Sequence, residues 1–282
     1  MPPALMESLR AKQPDIVWAS HNGRCVGFAC LWLDNLGAKG TARVSFWITE
    51  QGDVAWQKWI DLNLAEALVK LAATRGCDKL RVRVDPADEG RRTALAICEY
   101  HPADEVVTMF RRLVRAPMAP PGDELANARL PDIVKLHNAA YQDDDEVVRL
   151  TPERAKALAT SAGEIWVLHD GSQPAGFIEL ALGNEPGPLG PKIGRIESVA
   201  VLPEFRERGF GAKLVDFALK RLASLGARGV TLAVKHSNQN ALRLYRSLEF
   251  KPAYTVTIWE KLLSKVDEEA AAKARRKIAA GA

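Results

Sequence analysis

The stretch that decides the fold of this chain is Ile196–Leu225, IESVAVLPEFRERGFGAKLVDFALKRLASL. Its first six residues are mostly apolar and predict a buried strand, and the part from Gly211 onward has the pattern of a helix. Between them lies Arg206–Gly211, with the spacing R-x-x-G-x-G. Glycines allow the backbone to curl, and a helix start has unpaired N–H groups and a partial positive charge. The order strand, glycine turn, helix therefore predicts a site for a phosphate or pyrophosphate.

The spacing of this turn separates it from two common nucleotide-binding loops. It is neither the G-x-G-x-x-G pattern of dinucleotide-binding folds nor the G-x-x-x-x-G-K-S/T loop of nucleotide triphosphatases. Arg206 and Arg208 add positive charge at its rim. The motif by itself predicts an anion site without naming the anion.

The chain also repeats itself at an offset of 149 or 150 residues. Four segments match: 16–18 with 165–167, 26–28 with 175–177, 80–84 with 230–234, and 107–113 with 256–262. A constant offset over four separate segments indicates two copies of one α/β domain. We therefore predict a first domain at 1–113, a second at 114–262 and a charged tail at 263–282.

The order of elements predicts the fold class. In the second copy a hairpin at Ile165–His169 and Ala175–Leu182 precedes an alternation of strands and helices from Ile196 to Leu262. The first copy follows the same order, with a long amphipathic helix at Ala55–Arg75. The expected fold is α/β, with a mixed, mostly antiparallel sheet flanked by helices, present in two tandem copies.

Composition places few constraints on partners. The chain has 282 residues and a net charge of +4, which does not favour a nucleic-acid partner. An Arg275-Arg276-Lys277 cluster in the tail is the one feature in favour of such a partner. No apolar run has the length of a membrane helix, and Met1-Pro2-Pro3-Ala4 does not resemble the start of a signal peptide. We expect a cytoplasmic protein, either a monomer or a homodimer, with no membrane association.

A metal site is not expected. Cys25, Cys30, Cys77 and Cys98 form no C-x-x-C pair, and the five histidines are scattered along the chain. Each cysteine lies in an apolar stretch, so we expect reduced thiols in the core.

A second motif follows the glycine turn. Asn238 and Tyr245 are seven residues apart in a predicted helix and so lie on nearly the same face, with the small Ala241 between them. Taken alone, Asn238 is a helix cap and Tyr245 a half-buried core residue. Beside an anion-binding turn, the pair can instead follow a ligand along the helix.

Together the two motifs resemble those of the GNAT N-acetyltransferase superfamily. The residues that carry the resemblance are Val199-Ala200-Val201, Pro203, Arg206, Gly209, Gly211-Ala212 and Leu214, followed by Asn238, Ala241 and Leu244-Tyr245. The match covers the second copy, and the whole chain resembles tandem-GNAT proteins with a degenerate first copy. One departure is Glu249-Phe250, where family members commonly have Gly-Phe.

The resemblance implies acetyl-CoA as a cosubstrate and a primary amine as the acceptor, either on a small molecule or on a protein. The pyrophosphate would lie on the turn, the pantetheine arm along the strand before it, and Asn238 beside the arm. The implied contacts are Val199, Ala200, Val201, Arg206, Glu207, Arg208, Gly209, Phe210, Gly211, Ala212 and Asn238.

Two residues are candidates for catalysis by direct attack of the amine on the thioester. Tyr245 would donate a proton to the departing thiolate, and Glu197 would deprotonate the ammonium. Glu179 on a neighbouring strand is the reserve candidate for the base, and some family members use water chains instead. The alternative function is a non-catalytic, acyl-CoA-binding regulatory module.

The first copy has lost these residues. At the offset of 150, Trp56, Trp59 and Asp61 stand where the turn has Arg206, Gly209 and Gly211, and Leu95 stands for Tyr245. We expect this copy to be structural. In the second copy, an acidic run at 143–146 and a Gly/Pro-rich loop at 183–194 would border the acceptor.

Overall fold

The fold is given by a computed structural model. It describes residues 15–33, 40–113, 125–127, 130–142, 149–153, 155, 163–182 and 192–263. Within these ranges the side chains of residues 45, 46, 130 and 131 are not described.

Both repeats contain the same succession of elements: three strands, a helix, a strand, a helix and a strand. In the first repeat these are β1 (Asp15–His21), β2 (Arg24–Leu33), β3 (Thr41–Thr49), α1 (Val54–Thr74), β4 (Lys79–Val84), α2 (Glu89–Ile97) and β5 (His101–Arg112). The second repeat begins with two further elements, β6 (Leu125–Asn127) and α3 (Leu130–Ala140). It continues with β7 (Gly163–Asp170), β8 (Gln173–Leu182), β9 (Ile193–Val201), a 3₁₀ turn (Pro203–Phe205), α4 (Phe210–Ser224), β10 (Gly229–Lys235), α5 (Gln239–Ser247) and β11 (Lys251–Leu262).

Local sequence explains most of these boundaries. The β1–β2 turn is Asn22-Gly23, with φ of 50° and 75°, and such left-handed pairs match the twist of a hairpin. Helix α1 begins after Asp53, whose carboxylate accepts a hydrogen bond from the Trp56 N–H at 2.8 Å. Helix α4 is followed by Gly226, whose φ of 91° suits glycine after a helix end.

The chain divides into two compact units. The N-terminal unit consists of residues 1–105 and 256–282, and the C-terminal unit consists of residues 106–255. These limits fall inside β5 and β11, whereas the sequence repeat places its ends at 113 and 262.

The register of the last strands explains the difference between the two divisions. In the C-terminal unit, β10 pairs antiparallel with β5, and Gly229 lies opposite Arg112. In the N-terminal unit, β4 pairs antiparallel with β11, and Lys79 lies opposite Leu262. Lys79 corresponds to Gly229 and Arg112 to Leu262 at the offset of 150, but each of these residues pairs with a residue of the other repeat. Each repeat thus supplies the closing strand beside the other repeat's fourth strand.

In the C-terminal unit the strands lie in the order β5-β10-β9-β8-β7-β6, and in the N-terminal unit in the order β1-β2-β3-β4-β11. Within these two groups, β9–β10 and β3–β4 are parallel pairs and the other pairs are antiparallel. The predicted mixed, mostly antiparallel sheet is therefore confirmed.

Helices cover both faces of the C-terminal sheet. Successive residues of a strand point to opposite faces. On β8, the ring of Phe177 lies 6.1 Å from that of His137 on α3, whereas a Cβ at Gly176 would lie 3.3 Å from Leu214 on α4. Helices α3 and α4 therefore pack on opposite faces, which we call the α3 face and the α4 face.

The remaining expectations for the fold have mixed outcomes. Cys30 and Cys77 are buried, but Cys25 is exposed at the start of β2, so the prediction of a core thiol is wrong there. The described helices include none that is long and apolar enough to cross a membrane. The described ranges likewise hold no group of three His, Cys, Asp or Glu that could bind a metal.

Candidate active site

Strands β9 and β10 separate partway along their length. Their parallel pairing runs from Ile193–Gly229 to Ile196–Leu232 and ends there, although β9 continues to Val201 and β10 to Lys235. The predicted contacts Val199, Ala200 and Val201 lie in the separated part of β9, which remains paired with β8 on its other side. An extended ligand could therefore approach the free edge of β9 between the two strands.

The glycine turn follows directly after this edge. Glu207 and Gly209 both have left-handed backbones, with φ of 63° and 80°. Gly209 is the N-cap of α4 and has no side chain to cap the helix, and the first α-helical bond runs from the Lys213 N–H to its carbonyl. The N–H groups of the first turn, at 210–212, are thus left without helical partners. A turn of this kind fits an anionic group such as a pyrophosphate.

The two arginines of the turn make different contacts. The Arg206 guanidinium donates to the carbonyl oxygens of Val201 and Ala140, each at 3.3 Å, and so fixes the turn to the ends of β9 and α3. Arg208 donates to Asp170 at 2.7 Å, and its guanidinium lies 5.1 Å from the Phe210 ring centre. Arg206 therefore has a positioning role in addition to its charge.

The second glycine of the turn lies close to two neighbouring elements. A Cβ at Gly211 would lie 3.3 Å from Leu244 Cδ2 and 4.0 Å from Val201 Cγ2. The start of α4 is therefore close to both the end of β9 and helix α5. This contact connects the glycine turn to the helix that carries Tyr245.

Asn238 is the N-cap of α5. Its side-chain oxygen accepts a hydrogen bond from the Ala241 N–H at 3.1 Å. The side-chain nitrogen forms no hydrogen bond with any described residue. Asn238 can therefore cap the helix through its oxygen and still donate to a ligand through its nitrogen.

Tyr245 is 9% exposed, and its ring packs against Phe250 at 5.9 Å. Burial, followed by the proximity of Tyr141, raises the pKa of the Tyr245 phenol to about 12. Across the described residues its hydroxyl has no hydrogen-bond partner. Tyr245 is thus held protonated at physiological pH with its donor available.

Tyr141, just beyond α3, connects the α3 face to Tyr245. Its hydroxyl lies 2.9 Å from the hydroxyl of Ser198 on β9. Its ring lies 5.0 Å from that of His137 and 6.4 Å from that of Phe177. Neither Tyr141 nor Ser198 belongs to a spaced motif, so only the tertiary structure identifies them.

Glu197 lies at an irregularity in β9. The pairing of β8 with β9 runs Glu179–Ser198 and then Leu180–Ile196, which leaves Glu197 as an extra residue. Ile196 pairs with Leu180, which points to the opposite face from Glu179. By alternation Glu197 therefore shares the α3 face with Ser198. Its carboxylate forms an ion pair with Arg195, and 35% of its side chain is exposed.

Glu179, the reserve candidate, lies directly opposite Ser198 on β8 and is half-buried. Burial, with a smaller contribution from the negative charge of Glu197, raises the pKa of the Glu179 carboxyl. The two carboxylates are therefore close together on the α3 face. The acidic run at 143–146 and most of the loop at 183–194 lie outside the described residues.

The N-terminal unit has a different structure at the equivalent place. Helix α1 begins at Val54, six residues earlier than α4 at the offset of 150, so helix replaces the glycine turn. The Trp47 indole donates to Asp61 at 2.6 Å, and Arg91 lies 3.6 Å from the same carboxylate. The Trp56 and Trp59 rings stack at 5.3 Å.

Comparison with known proteins finds similarity to acetyltransferases. The profile described as the acetyltransferase (GNAT) family matches residues 130–250. A mycothiol acetyltransferase from Rhodococcus opacus is 30% identical over 162 residues, which are 46% of this chain and 52% of that protein. An N-alpha-acetyltransferase from Sulfurisphaera tokodaii is 27% identical over 144 residues, covering 45% of this chain and 86% of that protein.

Among solved structures, a tandem GNAT protein from the clavulanic acid biosynthesis pathway shares the fold. It has a TM-score of 0.63 at 18% sequence identity, over 89% of this chain and 83% of its own. The chain spans about half the length of most of the mycothiol acetyltransferases that it matches, at 52% for three of them and 62% for a fourth.

Proposed function

Since residues 130–250 belong to the acetyltransferase (GNAT) family, we propose that this chain is an N-acetyltransferase with its active site in the C-terminal unit. It would transfer an acetyl group from acetyl-CoA to a primary amine by direct attack. The observation that carries the proposal is the separation of β9 from β10, with the glycine turn and a protonated tyrosine beside it. We further propose that it acts in the cytoplasm.

The C-terminal unit offers a place for each part of acetyl-CoA. The pyrophosphate would accept hydrogen bonds from the backbone N–H groups of the turn, including those of Gly211 and Ala212. The pantetheine arm would pair with the free edge of β9 at Val199–Val201, as an added strand does. Asn238 would donate to this arm through its side-chain nitrogen.

Tyr245 would act at the departing sulfur. As the carbon–sulfur bond breaks, negative charge develops on the sulfur, and a phenol that is still protonated can donate a hydrogen bond to it. A phenol of pKa about 12 holds its proton more tightly than a thiol with a typical pKa of about 8.5. The larger part of its contribution is therefore the hydrogen bond that it donates to the developing negative charge on the sulfur. When its proton does pass to the sulfur, solvent supplies another proton to Tyr245.

The acceptor would approach from the α3 face, where Glu197 and Glu179 lie. An amine with a typical pKa of about 10.4 reaches the site as an ammonium and must lose a proton before it can attack. A carboxylate on this face can hold the cation and take the proton. The named relatives include a mycothiol acetyltransferase and an N-alpha-acetyltransferase, so family membership does not select between small-molecule and protein amines.

We propose that the N-terminal unit does not bind acyl-CoA in this manner. Helix α1 occupies the place of the turn, and the buried Asp61 would repel a phosphate there. Leu95 replaces the phenol. The role of this unit would be structural.

The proposal is tested by measuring thiol release from acetyl-CoA with a panel of amines: an alkylamine, a polyamine, an aminoglycoside and a peptide with a free N-terminus. We expect turnover with at least one of them and a fall in kcat of about 10- to 100-fold in Tyr245→Phe, with CoA affinity unchanged. If CoA binds and no amine is acetylated, the chain is a non-catalytic acyl-CoA-binding module.

A further inference from the structure

Two carboxylates share the α3 face, but their surroundings differ. Glu197 has a cation beside it, Arg195, which is two residues away on the same strand. Both side chains of this ion pair are substantially exposed, at 63% for Arg195 and 35% for Glu197. Arg195 therefore already compensates the charge of Glu197, and water surrounds the pair.

Glu179 has no such partner among the residues that the structure describes. Within the described parts of the chain, no side chain or backbone group forms an ion pair or hydrogen bond with its carboxylate. It is half-buried on β8, between Ile165 on β7 and Ser198 on β9. A partly buried carboxylate without a partner costs free energy, and a structural role would be expected to provide a cation for it.

The charged and titratable groups around Glu179 come from each neighbouring element. From β9 it faces Glu197, which forms an ion pair with Arg195, and from β7 it faces the uncharged Ile165. From α3 and its end, His137 and Tyr141 pack against Phe177, two positions earlier on β8. Burial and the nearby negative charge both favour the protonated form of Glu179, as its raised pKa indicates.

We propose that Glu179 is the residue that holds the acceptor's ammonium group and takes its proton, and that Glu197 is its electrostatic neighbour. This inference rests on the proposed N-acetyltransferase function. A primary ammonium would supply the positive charge that the described residues do not provide to Glu179. The bulge at Glu197 places Ser198, with Tyr141 bonded to it, directly opposite Glu179 on the same face as the proposed amine.

The protons balance as follows. The ammonium gives one proton to Glu179, and the nitrogen lone pair then forms a bond to the thioester carbonyl carbon. The carbon–sulfur bond breaks, and its electrons leave with the sulfur. A second proton from the nitrogen reaches the sulfur by way of Tyr245 and solvent, and Glu179 returns its proton to water. The products are an amide, a free thiol and one released proton.

The inference is tested by the pH dependence of kcat/KM in the full-length protein, with acetyl-CoA and the best amine of the panel. For the wild type we expect kcat/KM to rise with pH as Glu179 loses its proton. In Glu179→Gln we expect a loss of about 100-fold or more at neutral pH. The remaining activity should then keep rising until the pH approaches the amine's own pKa, because only free amine can react.

Three further variants complete the test. Glu179→Asp should recover part of the lost activity and the rise with pH. Glu197→Gln should keep most of the activity and shift the rise to lower pH, because it removes the charge that, after burial, contributes to the raised pKa of Glu179. Glu164→Gln on β7 is the control. The Glu164 carboxylate accepts hydrogen bonds from Arg221 on α4 at 2.6 and 2.9 Å, and the variant should keep the wild-type pH profile.

Two results would overturn the inference alone: Glu179→Gln with kcat/KM within threefold of wild type and an unchanged profile, or a larger loss in Glu197→Gln than in Glu179→Gln. Wild-type protein that binds CoA but acetylates no amine would instead overturn the proposed function, and this inference with it. CoA affinity measured by calorimetry should be the same in all variants, which separates acceptor effects from cofactor effects.

Discussion

At the scale of single residues, Glu249 shows how the chain tolerates a departure from the GNAT motif that it resembles. The residue has a φ of 62°, a left-handed conformation that favours glycine. Arg111 donates to the Leu248 carbonyl at 2.8 Å and to the Glu249 carboxylate at 2.9 Å. The first repeat has the same arrangement, with Glu99 at 62° and Lys261 donating to the Cys98 carbonyl. A cation on the closing strand thus offsets part of the backbone strain in each turn.

Replacing Glu249 by glycine should stabilise the protein. The substitution removes about 1–2 kcal/mol of left-handed strain, and it loses a largely exposed ion pair and adds some unfolded-chain entropy. We expect a net gain of about 0.5–1 kcal/mol in the free energy of unfolding, measured by chemical denaturation. Ser247→Gly, at the last residue of α5, should instead destabilise slightly, because glycine is a poor helix former. A Glu249→Gly variant less stable than wild type would show that the ion pair dominates.

At the scale of elements, the difference between α1 and α4 separates the two repeats. Both helices end at equivalent positions, Thr74 and Ser224, but α1 begins six residues earlier at the offset of 150. Asp53 caps α1, whereas α4 begins at a glycine without a side-chain cap. The same segment of the repeat can therefore form either a longer helix or an open turn, and only the turn leaves N–H groups for a ligand.

Gly209→Ala should weaken CoA binding through this turn. Gly209 and Gly226 flank α4 with φ of 80° and 91°, and an added Cβ would meet nothing within 4 Å at either position. Both alanine variants should therefore destabilise the protein similarly, by about 1–2 kcal/mol, through backbone strain alone. Only Gly209→Ala should raise the Kd for CoA, by about tenfold or more in calorimetry. Equal CoA affinities in the two variants would contradict a role for the turn.

At the scale of the whole molecule, the exchange of closing strands determines which part of the chain can fold alone. The pairing of β10 with β5 brings Val107 and Met109 into the core of the C-terminal unit. Without β5, strand β10 would expose a row of unpaired backbone groups and the core would lose these side chains. The compact unit therefore begins at Val106, before the end of the first repeat.

Two fragments test this division. We expect residues 106–255 to unfold cooperatively on heating and to bind CoA, because they include every strand of the C-terminal unit. Residues 114–255, which lack β5, should aggregate or show no cooperative transition. Circular dichroism during heating and CoA calorimetry measure both properties. A stable, CoA-binding 114–255 fragment would show that β5 is dispensable.

Much of the site could be predicted from the sequence because its signals are local. The strand, turn and helix at 196–225, the cap at Asn238 and the seven-residue spacing to Tyr245 depend on nearest neighbours and on helical and strand periods. The choice between Glu197 and Glu179 could not be predicted. The sequence pattern assumes that side chains alternate regularly between the two faces of β9. It does not reveal the extra residue at Glu197, which brings Ser198 opposite Glu179.

The sequence alone determined the elements, their repetition and the family motifs, because each of these follows from patterns within short segments or at a constant offset. Only the tertiary structure decided which copy of the closing strand lies beside β4 and which beside β10. The closing strands β5 and β11 pair with their partners in equivalent registers, so no local sequence pattern shows which partner each one takes. The tertiary structure likewise raised the pKa of Tyr245 to about 12, since burial depends on the whole fold and not on spacing.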